Sequence, residues 1–201
     1  MPEEIPSELL VYEKGSTFNS PAAGRGLASY ESDLGFKRAE LEGKRVLDLG
    51  SGPAERFSKE VKAAGIKAVV ISLNPDYSDP AIRSRIKNNP SWDKLSIAGV
   101  GQALPFADKS FDLVLGDRSL SLYSDPTMFS DPAKGNEILL LWGQEVARVL
   151  TEGGVARFTP IVANGLYEPL IIKLKSLGLD AYIEHGEVLV IKKPFVDKSK
   201  N

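Results

Sequence analysis

The stretch Val46-Leu47-Asp48-Leu49-Gly50-Ser51-Gly52-Pro53-Ala54 passes from an apolar run into a glycine-rich turn, and a helical pattern follows it. Glycines at such a junction let the backbone turn sharply and approach a ligand, and the helix behind them offers free N–H groups. A dinucleotide fingerprint asks for glycine at the sixth position, where this chain has Glu55, and a carboxylate there repels a pyrophosphate. Asp48, two residues before the first glycine, faces the same crevice. Its charge suits a cationic ligand better than a diphosphate.

Working outward, Arg45–Leu49 reads as a first strand. Phe57, Val61 and Ala64 recur at helical spacing before Gly65, and the Lys67–Leu73 run reads as a second strand buried on both faces. Asp79-Pro80 is expected to cap a helix through Ile82 and Ile86. A weaker third strand lies near Leu95–Val100, and a fourth spans Phe111–Leu115. Glu137 to Leu150 is predicted as the strongest helix, ended by Gly153-Gly154, with Val155–Thr159 as the fifth strand. A helix near Leu166–Leu177 stops at Gly178. Asp180–Glu184 and Glu187–Lys193 then form a hairpin turning tightly at His185-Gly186. Strands alternating with helices predict an α/β protein whose first five strands form a doubly wound sheet. Ahead of it, Ser20–Gly26 reads as loop and Leu27–Leu34 as a short helix. The expected organisation is an N-terminal arm or lid over 1–43, one domain over 44–196, and a frayed tail over 197–201.

The 201 residues suffice for one α/β domain, and 26% charged with 42% hydrophobic residues is an ordinary globular balance. A net charge of −2 gives no general attraction to nucleic acid or anionic membrane, so neither is an expected partner. With no cysteine there are no disulfides, thiolate metal sites or cysteine nucleophiles. The N-terminus lacks the basic and apolar regions of a secretory signal, and no apolar run approaches the ~20 residues of a membrane span. A cytoplasmic location is the expectation.

Three segments in order resemble the class I S-adenosylmethionine (SAM)-dependent methyltransferase family. Asp48–Ala54 resembles its first motif. Leu104–Val114 resembles its "LPF…SFDLV" run into the fourth strand, and Glu145–Gly154 its "E..RVL.PGG" turn before the fifth. The resemblance spans about Lys44 to Thr159. It implies a three-layer, mostly parallel seven-stranded sheet in the order 3-2-1-4-5-7-6, with the C-terminal hairpin antiparallel. It implies SAM as cofactor, no metal, and cofactor contacts at Asp48, Gly50, Ser51, Gly52, Ser72, Leu73, Asn74, Gly101, Gln102, Ala103 and Asp117.

Two acids usual in that family are missing. Ser72 stands where a carboxylate at the end of the second strand accepts hydrogen bonds from the SAM ribose, and Val100 where an Asp meets the adenine amino group. Neutral groups such as Ser72, Asn74 and Gln102 are the expected replacements, since losing a charge-assisted bond costs about 1.5–3 kcal/mol. The loop after the fourth strand, Gly116–Tyr123, faces the transferred methyl. There Asp117 is the candidate base, Arg118 the candidate anchor for an acidic substrate, and Tyr123 a pocket wall. An N-P-P-Y motif, which would suggest a nucleic-acid amino methylase, is absent. Tyr12, Phe18, Arg25 and Tyr30 are candidates for a lid, although packing of the arm on the sheet edge competes for each of them. His185, the sole histidine, reads as structural or exposed.

The leading expectation is methyl transfer to a small-molecule O- or N-nucleophile. Its rivals are a catalytically weak or inactive binding or scaffold protein on the same fold, and an NAD(P)-linked oxidoreductase, which Glu55 disfavours.

Overall fold

The computed structural model describes residues 25–52, 54–80, 84, 95–120, 131–161 and 167–195. Tyr12, Phe18, Tyr123, most of the Asp79–Ile86 segment and the 197–201 tail lie outside them. Seven strands, β1 (Arg45–Leu49), β2 (Val69–Leu73), β3 (Ser96–Ile97), β4 (Phe111–Asp117), β5 (Leu150–Thr159), β6 (Asp180–Glu184) and β7 (Val188–Lys192), form one sheet ordered 3-2-1-4-5-7-6. The first five run parallel, while β7 pairs antiparallel with both β5 and β6. The expected topology is therefore the observed one.

Helices cover both faces. On one side, α1 (Leu27–Leu34) and α2 (Arg56–Ala63) bury Leu27, Tyr30, Leu34, Phe57 and Val61 against Val46, Val70, Leu113 and Leu115. On the other, α3 (Pro132–Val149) and α4 (Glu168–Ser176) bury Ile138, Trp142, Val146, Leu170 and Leu174 against Leu47, Leu49, Val114 and Phe158. Side chains alternate along a strand. Val46 and Asp48 therefore belong to the α1–α2 face, as do Leu113, Leu115 and Asp117. Asp48 is the register partner of Leu115, which puts the carboxylates of Asp48 and Asp117 on one face of adjacent strands. The crevice lies between β1 and β4, where the chain order reverses.

Several boundaries differ from the sequence reading. Helix α3 begins at Pro132, five residues before Glu137, because Asp131 Oδ1 accepts from the Ala133 and Lys134 amides at 3.0 and 3.2 Å. The pair Gly153-Gly154 does not end α3. Leu150 turns directly into extended backbone, and the glycines lie within β5, beside a register shift opposite Phe111–Leu113. Strand β3 keeps only two residues, since Val100 is committed to a tight bridge with Ala103. Strand β2 starts at Val69 rather than Lys67, and the hairpin turns through three residues, His185 to Glu187. His185 is exposed, in a left-handed conformation at φ 51°.

The two later motifs serve as a brace. Arg148 donates to Glu145, to the carbonyls of Leu104 and Phe106, and to Asp108, while Glu145 accepts from the Leu104 amide at 2.7 Å. The Leu104–Phe106 run is thereby bound to α3 at the threshold of β4.

Candidate functional site

The turn after β1 hangs from β2: the amides of Gly50 and Ser51 donate to the Leu73 carbonyl at 2.9 and 3.3 Å. Gly50 and Gly52 take φ of 88° and 68°, which favour glycine. A Cβ on Gly50 would also lie 2.5 Å from Ser119 Cβ, so the loop after β4 rests directly on the glycine turn.

Asp48 is fully buried, and its Oδ1 accepts from the Tyr30 hydroxyl at 2.6 Å. Tyr30 stacks on Phe57 with ring centroids 4.2 Å apart, which holds its hydroxyl over the sheet. Asp117 ends β4 with its side chain 1% exposed. Arg25 Nε stands 3.3 Å from Oδ2, close enough to pair charges without forming a directed hydrogen bond. Four buried atoms here have no hydrogen-bond partner: Asp48 Oδ2, both Asp117 carboxylate oxygens and Ser119 Oγ.

Burial pushes the Asp48 carboxyl up to about 7. The Tyr30 hydrogen bond pulls it down, and the charges of Glu55 and Asp117 push it up. Burial likewise raises Asp117, to about 6, against the pull of Arg25 and Arg118. Tyr30 is driven well above its usual range by burial and then by the Asp48 charge, so its hydroxyl remains a donor.

A second polar group lies on the β2 side. Tyr77, in the turn after β2, donates to the Gly52 carbonyl at 2.9 Å and pairs with Ser51 Oγ at 2.8 Å. Glu55, 2% exposed, bonds the hydroxyl of Ser96 on β3. Ser72 is buried at the end of β2, in register with Asp48 on one side and Ser96 on the other.

The remaining sequence-derived candidates divide. Asn74 Oδ1 accepts from the Asp76 amide at 2.9 Å, capping the turn that carries Tyr77. Gln102 is fully buried and its Oε1 accepts from Trp142 Nε1 at 3.0 Å, while a Cβ on Gly101 would meet the Trp142 ring at 2.0 Å. These two therefore pack toward α3. Ala103 is exposed in the bridge to Val100. Arg118 is exposed at φ 56°, with its amide bonded to the Thr159 carbonyl at 2.6 Å. Asp48, Gly50, Ser51, Gly52, Leu73 and Asp117 thus converge, and Ser119, Tyr77 and Glu55 join them. Spacing singled out Glu55 only as a bar to a pyrophosphate, and Ser119 and Tyr77 not at all, because these two arrive from separate loops after β4 and β2. Among the described residues no group of His, Cys, Asp and Glu could hold a metal ion.

A SAM-dependent methyltransferase structure from Methanosarcina mazei aligns with a TM-score of 0.54 at 15% identity, covering 77% of this chain and 94% of that one. The chain has the class I, Rossmann-like methyltransferase fold. The malonyl-(acyl-carrier protein) O-methyltransferase of Erwinia billingiae (strain Eb661) is 28% identical over 159 residues, covering 73% of this chain and 55% of that protein. The chain spans about half the length of the curated relatives it matches, 55% and 43% of two of them. No protein-family model matches. The 4+2 cyclase SpnF shares the fold at a TM-score of 0.52 and 17% identity, covering 79% of each chain, so this architecture does not fix the reaction.

Proposed function

We propose that this chain binds SAM beyond the ends of β1 and β4 and transfers its methyl group to a small-molecule O- or N-nucleophile. The supporting observation is the set of orphaned carboxylate oxygens on Asp48 and Asp117 beside the glycine turn. Buried acceptors without donors are costly unless a ligand supplies them. An amino-acid end brings three N–H donors on one positive charge, which fits two acids poised near 6 and 7. A diphosphate would instead meet both acids and Glu55.

Once bound, SAM supplies a methyl carbon already activated by a sulfonium. The protein's part is then positioning, which can supply much of the rate of an in-line transfer. Asp48 and Asp117 hold the cationic end, the Gly50–Gly52 backbone lets it approach, and Tyr30 and Phe57 keep water from Asp48. A base is required only when the acceptor carries a proton, and Asp117 at about 6 is suited to take one near neutral pH. Arg118, exposed beside it, is assigned to an anionic acceptor, and Tyr123 to the acceptor pocket. Among the described residues no helix is long and apolar enough to cross a membrane.

Isothermal titration with SAM and S-adenosylhomocysteine tests the reading. Saturable binding, weakened at least tenfold (about 1.4 kcal/mol) by Asp48→Ala or Gly50→Val, is expected. No heat at millimolar ligand would sink it. The second reading, binding without efficient transfer, is favoured by Arg25 and Tyr30 already occupying the two acids. Tight SAM binding with no S-adenosylhomocysteine released across a panel of acceptors would support that alternative.

A further inference from the structure

The C-terminal edge of the sheet presents Asp117, Asp48, Ser72 and Ser96 on four successive strands, β4, β1, β2 and β3. Neighbouring strands are about 4.8 Å apart, so Ser96 lies about 10 Å across the sheet from Asp48. That is roughly the reach of eight single bonds, the path from the amino-acid nitrogen of SAM to a ribose hydroxyl. In nucleotide-binding α/β folds a carboxylate near the end of β2 receives the ribose hydroxyls, and here that strand offers only Ser72.

A carboxylate reaches the same place from another element. Glu55 leaves the glycine turn at φ 49° and ψ 39°, a left-handed conformation uncommon for a non-glycine residue, and its side chain is 2% exposed. The carboxylate bonds the hydroxyl of Ser96, the register partner of Ser72, and the Tyr77 hydroxyl lies beside it, its one proton shared between Glu55 and the Gly52 carbonyl. A positive φ at a non-glycine residue counts against stability, and glycine at this position would relieve it. Residues kept against such costs concentrate at ligand sites. On β3 the Glu55 carboxylate bonds a hydroxyl, a group that a ribose hydroxyl can replace without changing the chemistry at the carboxylate.

We infer that Glu55 is the ribose-binding carboxylate of this chain, delivered from the loop after β1 in place of the acid that β2 lacks. The inference rests on the SAM reading above. It extends that site past Asp48 and Asp117 along the sheet edge, and it gives Tyr77 and Ser96 the role of holding the Glu55 side chain.

The test is calorimetric titration of wild type, Glu55→Gln and Glu55→Gly with S-adenosylhomocysteine and with its 2′,3′-dideoxy analogue, alongside thermal melts. Wild type should prefer S-adenosylhomocysteine to the dideoxy analogue by roughly 10- to 100-fold, as expected for charge-assisted bonds to a diol. Both variants should lose that preference while binding the dideoxy analogue as wild type does. Glu55→Gly should melt no lower than wild type, because it removes the left-handed strain. Unchanged preference in both variants overturns the inference and leaves the methionine end of the site standing. Equal losses for both ligands, with a lowered melting temperature, also overturn it, since that pattern marks a purely structural glutamate. If wild type binds neither ligand, the SAM reading itself has failed.

Discussion

The two faces of the sheet are built on opposite principles. Toward α3 and α4, polar side chains tie the layer together: Gln102 meets the Trp142 indole, and Glu145 and Arg148 bind the Leu104–Phe106 run to α3. Toward α1 and α2, an otherwise similar apolar layer contains a buried Glu55 and two carboxylates with three oxygens outside any hydrogen bond, one of them ion-paired with Arg25. A satisfied polar group specifies a fold, whereas an orphaned one leaves free energy for a ligand to recover. The α3–α4 layer should therefore be costly to alter and indifferent to ligand. The α1–α2 layer should respond to ligand and pH.

Trp142→Ala should produce the largest effect. It empties a large side-chain volume in the main core and leaves Gln102 without the indole donor. A loss of about 3–5 kcal/mol in chemical denaturation is expected. Where the variant stays folded, its affinity for S-adenosylhomocysteine should be close to wild type. A selective loss of affinity would break the contrast between the layers.

The pH dependence comes next. The Asp48 carboxyl is raised from 3.8 to about 7, and Asp117 from 3.8 to about 6. A raised folded-state pKa gives stability that is fully present below the unfolded value and lost as pH climbs through the folded one. The ligand-free protein should therefore lose stability between about pH 4 and pH 7, by an amount on the order of 2–4 kcal/mol from Asp48. Asp48→Asn should flatten that slope and stabilise the protein at pH 8. Binding of a cation should strengthen over the same window as the acids ionise. Melts and titrations at several pH values measure both slopes, and a flat wild-type profile would contradict the placement of Asp48.

Tyr30→Phe is the finest probe. It keeps the stacking on Phe57 and removes only the hydrogen bond to Asp48. A loss of about 1–2 kcal/mol at pH 8, where Asp48 is ionised, is expected, with a smaller loss at pH 5. An equal loss at both pH values would mean that the hydroxyl serves packing rather than the carboxylate.

Sequence by itself determined the doubly wound sheet, and its resemblance to a known family implied the strand order and the methionine end of the proposed site. Apolar runs, glycine turns and the three motif segments are local patterns, and right-handed crossovers leave little freedom in joining them. In sequence the fourth strand reads as ending at Leu115, with Asp117 in the loop, whereas β4 runs to Asp117, and that extension is what puts Asp48 and Asp117 on one face. Element ends were less legible. The Asp131-Pro132 cap precedes the first apolar position of α3 by several residues, and Gly153-Gly154, which would stop a helix, here belong to an irregular strand.

Only the tertiary structure decided what surrounds the two acids. Tyr30 comes from 18 residues before Asp48, and Ser96 meets Glu55 across 41 residues. Gln102, which the family resemblance marks as a cofactor contact, accepts from Trp142, 40 residues away. Contacts closed over such loops leave no spacing rule in the chain. They arise because strand pairing brings distant loops to one edge, where each buried polar group takes whichever partner the packing supplies.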